Sequence, residues 1–432
     1  MKAMKLIATL ATTSLLFLGL PAMSQAAGPV AGGTCTAIGK SAVISKKTYV
    51  CTLSGKKKLW KLKSVTSAAP SNSGLSTTSF EKCRLPVADG RGDVAIGLPR
   101  IVYRGKNTGT VNVTVIFVDF PDARATMTPE QAFAKVNPRA TEIFKQVSYG
   151  QLDYKMTPNL KWFTMSKKST DYSYRSFDGQ HAYFEEAIKL ADATTDFSKT
   201  DSTVVISNPD QKGLENGPAV SYFPDSGVVA DGRNLYNGAT SGHDINNWGA
   251  IWLNHEISHS FGLVDLYSAR GNTYETQFEF TGEFSYMGLS HEDSQAPELF
   301  AWERLVMGWL KENQFYCQPA GLGTYKITPV ETVGGVKAVV IPTGDTTALV
   351  VESRRALGLD SKLKKEGLVV YRVNSKNQSG FAPIQVISNY KLLEDPRYLK
   401  APLAVGESVT VDGFTFKHSA ASDGSNTVIV SK

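Results

Sequence analysis

The sequence predicts an α+β fold, with a mixed sheet and one histidine-bearing helix followed by a β-rich, sandwich-like C-terminal domain. Strand-like and helix-like stretches alternate up to about residue 312, which argues for a mixed architecture. Beyond that point short β-branched runs are separated by Gly, Asp and Asn turns, the texture of a sandwich.

The elements follow in order. Val111 to Phe117 alternates and reads as a strand. Thr128-Pro129-Glu130 is a helix start, and the helical pattern reaches about Ser148, with Gly150 as its stop. Asp178 to Ala193 is a second amphipathic helix, and Ser202 to Ser207 a short strand. In the C-terminal part the strands are expected at 336–341, 348–352, 367–373, 413–417 and 427–430.

Five parts are expected: a signal peptide at 1–26, a small basic module at 27–63, a Ser/Thr/Pro linker at 64–82, a large mixed domain at 83–313 and the β-rich domain at 314–432. Lys2 and Lys5 precede an apolar run from Leu6 to Leu20, and Ser24-Gln25-Ala26 supplies small residues for cleavage after Ala26. A membrane anchor is the alternative, but the run is short for a span of about 20 residues. Export permits disulfides. Of the three pairings of Cys35, Cys51, Cys83 and Cys317, Cys35–Cys51 closes a local module and leaves Cys83–Cys317. Residues 35–63 hold eight Lys and no acid, a charge suited to an anionic cell-wall polymer or simply to water. The whole chain carries a formal net charge of +6 and shows no nucleic-acid motif.

The chemistry lies in His255-Glu256-Ile257-Ser258-His259. Histidines at i and i+4 project from one face of a helix, so both imidazoles reach one ion, and zinc suits them. Leu253, Ile257 and Phe261 fall nearly opposite, so the apolar stripe faces the core while the histidines face elsewhere. Glu256 is turned about 100° from His255, beside the ion rather than on it, where a general base belongs. Gly262 ends the helix with a positive φ and lets Asp265 return as a third ligand. Asp265 also reads as a turn-forming or calcium-binding residue. Phe284 to Gly288 looks like a turn that places Met287 beneath a metal. Tyr267, Tyr286 and His243 are candidates to hydrogen-bond the transition state. No Gly-x-Ser-x-Gly elbow or phosphate loop competes. Arg91-Gly92-Asp93 and Asp231-Gly232-Arg233-Asn234 read as turns.

The string from His255 to Tyr267 resembles that of the immune inhibitor A-like (M6) metallopeptidases, which are metzincin-like zincins. Val147 to Leu152, Phe284 to Gly288, Pro297 to Trp309, Val351 to Arg354 and Gly367 to Tyr371 resemble further segments of that family, in the same order. The resemblance covers roughly 110–375. It implies a zincin catalytic domain and a secreted endopeptidase acting on protein or peptide. Zinc would be held by His255, His259 and Asp265, with Glu256 as base and calcium as a structural ion. Ile257-Ser258 departs from the pair often found inside the motif, at positions facing away from the metal. Glu279 or Glu283 is the alternative third ligand. The rival expectation is an inactive zincin-fold protein that binds the cell wall.

Overall fold

The computed structural model describes residues 30–62 (apart from 31, 39, 45, 46, 55 and 56), 79–87 and 96–432 (apart from 102, 272 and 423). The expected signal peptide, most of the linker and Arg91-Gly92-Asp93 lie outside the described residues. Two compact units are present, 1–68 and 69–432.

In the first unit, β1 (Ser41–Ile44), β2 (Lys47–Ser54) and β3 (Lys57–Leu62) form an antiparallel meander. Cys35 and Cys51 are bonded across it, and Cys51 and Trp60 are buried. Lys40, Lys57, Lys58 and Lys61 are all exposed.

The second unit begins with a mixed sheet. β4 (Gly109–Asp119), β5 (Leu152–Thr164), β6 (Ser202–Ser207), β7 (Ala219–Ser221) and β10 (Asn237–Thr240) lie in the order β5-β4-β6-β10-β7. The first four of these spatial neighbours run parallel, and β7 is an antiparallel edge. β8 (Val228–Ala230) and β9 (Arg233–Leu235) make a hairpin turned at Asp231-Gly232, both at positive φ, as the sequence suggested. Both faces of the sheet are covered. Val113, Val115 and Phe117 face a core shared with α1 (Pro129–Phe133), α2 (Arg139–Val147) and α4 (Ile245–Phe261). Ile116, Val118 and Val205 face α3 (Phe177–Ala191) through Tyr183, Phe184 and Ile188.

The single helix expected over 128–148 is two. Pro138 has no N–H to offer and interrupts the pattern, so α1 and α2 are separated by turns. The histidine helix is also broken. Gly249 sits at φ 50°, a conformation costly for any other residue, and the regular part carrying His255 and His259 follows it.

After the short helices α5 (Tyr274–Gln277) and α6 (Ala301–Val306) come two sheets. β11 (Phe315–Cys317), β13 (Ala338–Pro342), β14 (Thr347–Arg354), β15 (Gly367–Asn374) and β16 (Ile384–Ile387) form one. β12 (Gly323–Ile327), β17 (Ser408–Val411), β18 (Phe414–Ser422) and β19 (Ser425–Ser431) form the other. The expected sandwich is therefore present. Its inner sheet is buried on both faces, which explains the near-continuous apolar runs there. Val339, Ile341, Leu349, Val351 and Val370 meet the second sheet, whereas Val340, Val350, Val369 and Tyr371 belong to the same core as α2 and α4. Residues 314–432 thus share a core with the segment before them, within one compact unit.

Cys83 and Cys317 are bonded, closing a separation of 234 residues. Loop-closure entropy for a link this long suggests about 5–6 kcal/mol of stabilisation. Replacing both by Ser is expected to lower unfolding free energy by that amount in urea titration, and a loss below about 1 kcal/mol would contradict it.

Candidate metal centre

α4 ends at Gly262, which takes φ 112° and donates its N–H to the carbonyls of Ser258 and His259. A left-handed residue here reverses the chain, and three residues later Asp265 returns to the histidine face. The Nε2 atoms of His255 and His259 are 3.1 Å apart. Asp265 Oδ1 is 3.1 Å from the first and 3.2 Å from the second.

Second contacts fix the tautomers. Nδ1 of His255 faces the Tyr286 carbonyl at 2.8 Å, and Nδ1 of His259 faces that of Leu263 at 3.0 Å. A carbonyl only accepts, so each Nδ1 carries the proton and each neutral ring turns an Nε2 lone pair inward. Two ring lone pairs and a carboxylate oxygen therefore meet within 3.2 Å. Such a triangle repels itself unless positive charge sits against it. A tetrahedral ion with bonds of about 2.0–2.1 Å separates its ligands by about 3.3 Å, so the triangle fits zinc. The electrostatics show the same pull toward positive charge. Burial opposes a charge on either histidine, but Asp265, helped by Glu256 beside His255 and by the Leu263 carbonyl at His259, raises both pKa values. Burial would likewise raise Asp265, yet the two histidines hold its carboxyl well below the usual carboxylate range.

Glu256 stands beside this triangle and outside it. Burial pushes its carboxyl up to about 8, while a backbone N–H from Ala219 on β7 favours the charged form. A divalent cation alongside acts in the lowering direction. The edge strand, Glu256 and the His255, His259 and Asp265 side chains thus share one cleft of about 620 Å³. A pocket of about 370 Å³ adjoins it, sharing His255, Glu256 and Tyr267 and opening between Trp248, Ile251, Trp252, Tyr286 and Leu289, with Asp244 and Gln277 also in its wall.

The other sequence candidates separate. The Tyr267 ring lies near-parallel to that of His255, 6.2 Å away, in the cleft. Its hydroxyl bonds Asp265, and burial followed by the Asp265 charge raises its pKa. Tyr286 spends its hydroxyl on Ser258 Oγ at 3.1 Å, so its contribution is the carbonyl that orients His255. Met287 is fully buried in the turn, where its carbonyl accepts from Leu266 N at 2.8 Å. His243 is exposed, faces the Pro209 carbonyl and does not line the cleft. Glu279 is taken by Ser268, and Glu283 by Arg397 at 2.7 Å, so neither joins the histidines. Among the described residues, His255, His259 and Asp265 are the one group of three metal-ligating side chains, and no acidic cluster for calcium accompanies them.

One participant carried no signal in the sequence. Ser379, on the loop after β15, accepts from Asp265 N at 2.8 Å and donates to Asp265 Oδ2 at 2.8 Å. Gly380 N adds a bond to the Asp265 carbonyl at 2.9 Å. Asp265 is therefore clamped by a loop 114 residues away in sequence. Ser379→Ala is expected to weaken zinc binding about 10–100-fold in chelator competition, with Ser379→Thr restoring much of it. Unchanged affinity in Ser379→Ala would show that the clamp is dispensable.

No family model matches this chain, and no curated protein matches it either. Solved structures with some likeness are metalloproteinase-II from Bacteroides fragilis and OgpA from Akkermansia muciniphila. The first is 14% identical with a TM-score of 0.27, covering 50% of this chain and 57% of that one. Wild-type OgpA is 13% identical with a TM-score of 0.29, covering 66% of this chain and 88% of that one. Catalytically inactive OgpA, in complex with an O-glycopeptide substrate, is 11% identical with a TM-score of 0.29 over 67% and 88%. The chain spans little more than half the length of the Bacteroides protein. Overlaps this loose add no weight to the distances above.

Proposed function

We propose that the chain is a secreted zinc endopeptidase of the immune inhibitor A-like (M6) kind. The observation that carries this is the convergence of the His255, His259 and Asp265 lone pairs beside the Glu256 carboxylate. Zinc, when bound, supplies polarisation of the scissile carbonyl and acidification of a water to a pKa of about 7. Glu256 is the group placed to take the proton as general base, and its raised basicity suits work near neutral pH. Tyr267 is the candidate donor to the developing oxyanion, because its hydroxyl already lies beside Asp265.

A peptide is the substrate this cleft suits. β7 is a sheet edge, and beyond Ala219, whose carbonyl accepts from Gln180 at 2.8 Å, an extended chain can add to such an edge by main-chain hydrogen bonds. The adjoining pocket, lined by Trp248, Ile251, Trp252 and Leu289 together with Asn216, Asp244 and Gln277, has room for a side chain of that peptide. Residues 1–26 are taken as a signal peptide, placing the protein outside the cell or at its wall. The exposed lysines of the 30–62 module suit an anionic wall polymer by charge.

Casein hydrolysis by the purified protein tests this reading. Hydrolysis abolished by a chelator and restored by zinc is expected. Zinc retained without any hydrolysis would favour the inactive wall-binding alternative, in which the basic module carries the function.

A further inference from the structure

The pocket that adjoins the cleft carries negative charge within aromatic walls. Among the described residues that line it there is no Lys or Arg, and its carboxylates are Asp244 and Glu256. Glu256 is the candidate base, so Asp244 is the charge left for recognition. Asp244 immediately precedes α4. Its carboxylate meets neutral backbone donors: Gly217 N at 2.8 Å on Oδ2 and Gly242 N at 3.1 Å on Oδ1. These bonds fix both oxygens without neutralising the charge, and each oxygen keeps a further lone pair. Burial pushes the carboxyl up to about 6 against the N–H groups of Gly217, Gly242 and Ile245. The aromatic wall is braced to the same point, because Trp252 Nε1 donates to the Gly217 carbonyl at 2.8 Å. Trp248 stacks on the His291 ring with centroids 3.6 Å apart, which fixes the second indole.

We infer that this pocket is a specificity subsite for a cationic side chain, Arg or Lys, of the peptide substrate, with Asp244 as the residue that recognises the charge. The inference rests on the peptidase reading and adds its specificity. The pocket shares His255 and Glu256 with the cleft, so its occupant is one of the two residues flanking the scissile bond. A long basic side chain matches both parts of the lining. Its methylene stem packs along Trp248, Ile251 and Leu289, and its head is attracted by aromatic faces and by the carboxylate. An apolar side chain would strip water from Asp244 and return no hydrogen bond. An acidic one would meet two carboxylates in a partly buried space, where salt screens them little.

Cleavage-site mapping tests this. The zinc-loaded protein is given whole-cell protein already cut after Glu, which leaves Lys and Arg inside the peptides, and the new ends are read by mass spectrometry. Arg and Lys are expected at one of the two flanking positions. In a peptide taken from that set, replacing this Arg by citrulline, which keeps the shape and removes the charge, is expected to lower kcat/KM about 10–100-fold, the range for a hydrogen-bonded charge. Asp244→Asn is expected to bring the Arg-to-citrulline ratio to about one. Should Asp244→Asn fail to fold, Gln277→Arg decides: it places a cation in the same wall and is expected to abolish the preference or turn it toward acidic residues. Equal cleavage beside basic and neutral residues by the wild type would overturn the subsite while leaving the peptidase reading standing, as would a preference that survives both substitutions. Failure to cut any peptide would overturn the peptidase reading and this inference with it.

Discussion

Glu256→Gln is expected to lower peptide hydrolysis about 10²–10⁴-fold while leaving zinc affinity within a few-fold of wild type. The split follows from the geometry. Glu256 lines the cleft and takes the Ala219 N–H, whereas the triangle that could hold a metal is built from His255, His259 and Asp265. Glutamine preserves shape and can still meet a neighbour, but it cannot accept a proton. Measuring turnover and bound metal on the same preparation separates the two roles. Comparable turnover in the variant would remove Glu256 from the chemistry, and loss of metal would make it a ligand.

Arg354→Met is expected to cost about 3–5 kcal/mol of stability, because it strands buried carboxylates. Arg354 is fully buried, 2.6 Å from Glu352 Oε1 and 2.9 Å from Asp360 Oδ2, and it donates to the Glu298 carbonyl at 2.9 Å. Around it, Arg304 pairs with Glu298 and with the Tyr149 hydroxyl, and Tyr371 donates to Glu352 Oε2 at 2.8 Å. The network reaches the metal centre from behind. Ser285, at φ 71°, donates to Glu303 Oε1 at 3.1 Å and accepts from Met287 N at 3.1 Å, and the next residue, Tyr286, holds His255. Burial pushes Glu303 up to about 7. Urea unfolding of Arg354→Met checks the magnitude. A change under about 1 kcal/mol would mean that the surrounding groups relax or hydrate around the loss.

This network also shows what the sequence made legible. Tyr149, Glu298, Glu303, Arg304, Glu352, Arg354 and Tyr371 fall in the segments whose resemblance to a family extended beyond the histidine motif. Read along the chain they were unrelated fragments. In three dimensions they converge on one buried polar cluster behind α4. The convergence of His255, His259 and Asp265 was readable because their spacing is local: one helical turn, a left-handed glycine and a short return. β6 and the main C-terminal strands were readable from their β-branched runs. The break at Pro138 was missed because flanking amphipathicity on both sides continues through it, and the kink at Gly249 because a single glycine within a helical pattern is ambiguous. Ser379 carried no periodicity or motif. It meets Asp265 through loop placement, which only the packing of the inner sandwich sheet against α4 determines.

The most direct test of the metal centre is zinc stoichiometry by mass spectrometry on wild type and His259→Ala after dialysis against a weak chelator. About one zinc per chain in wild type and far less in His259→Ala is the result expected from three converging lone pairs. Wild-type protein without zinc, or equal zinc in both proteins, would contradict the assignment of His255, His259 and Asp265 as its ligands.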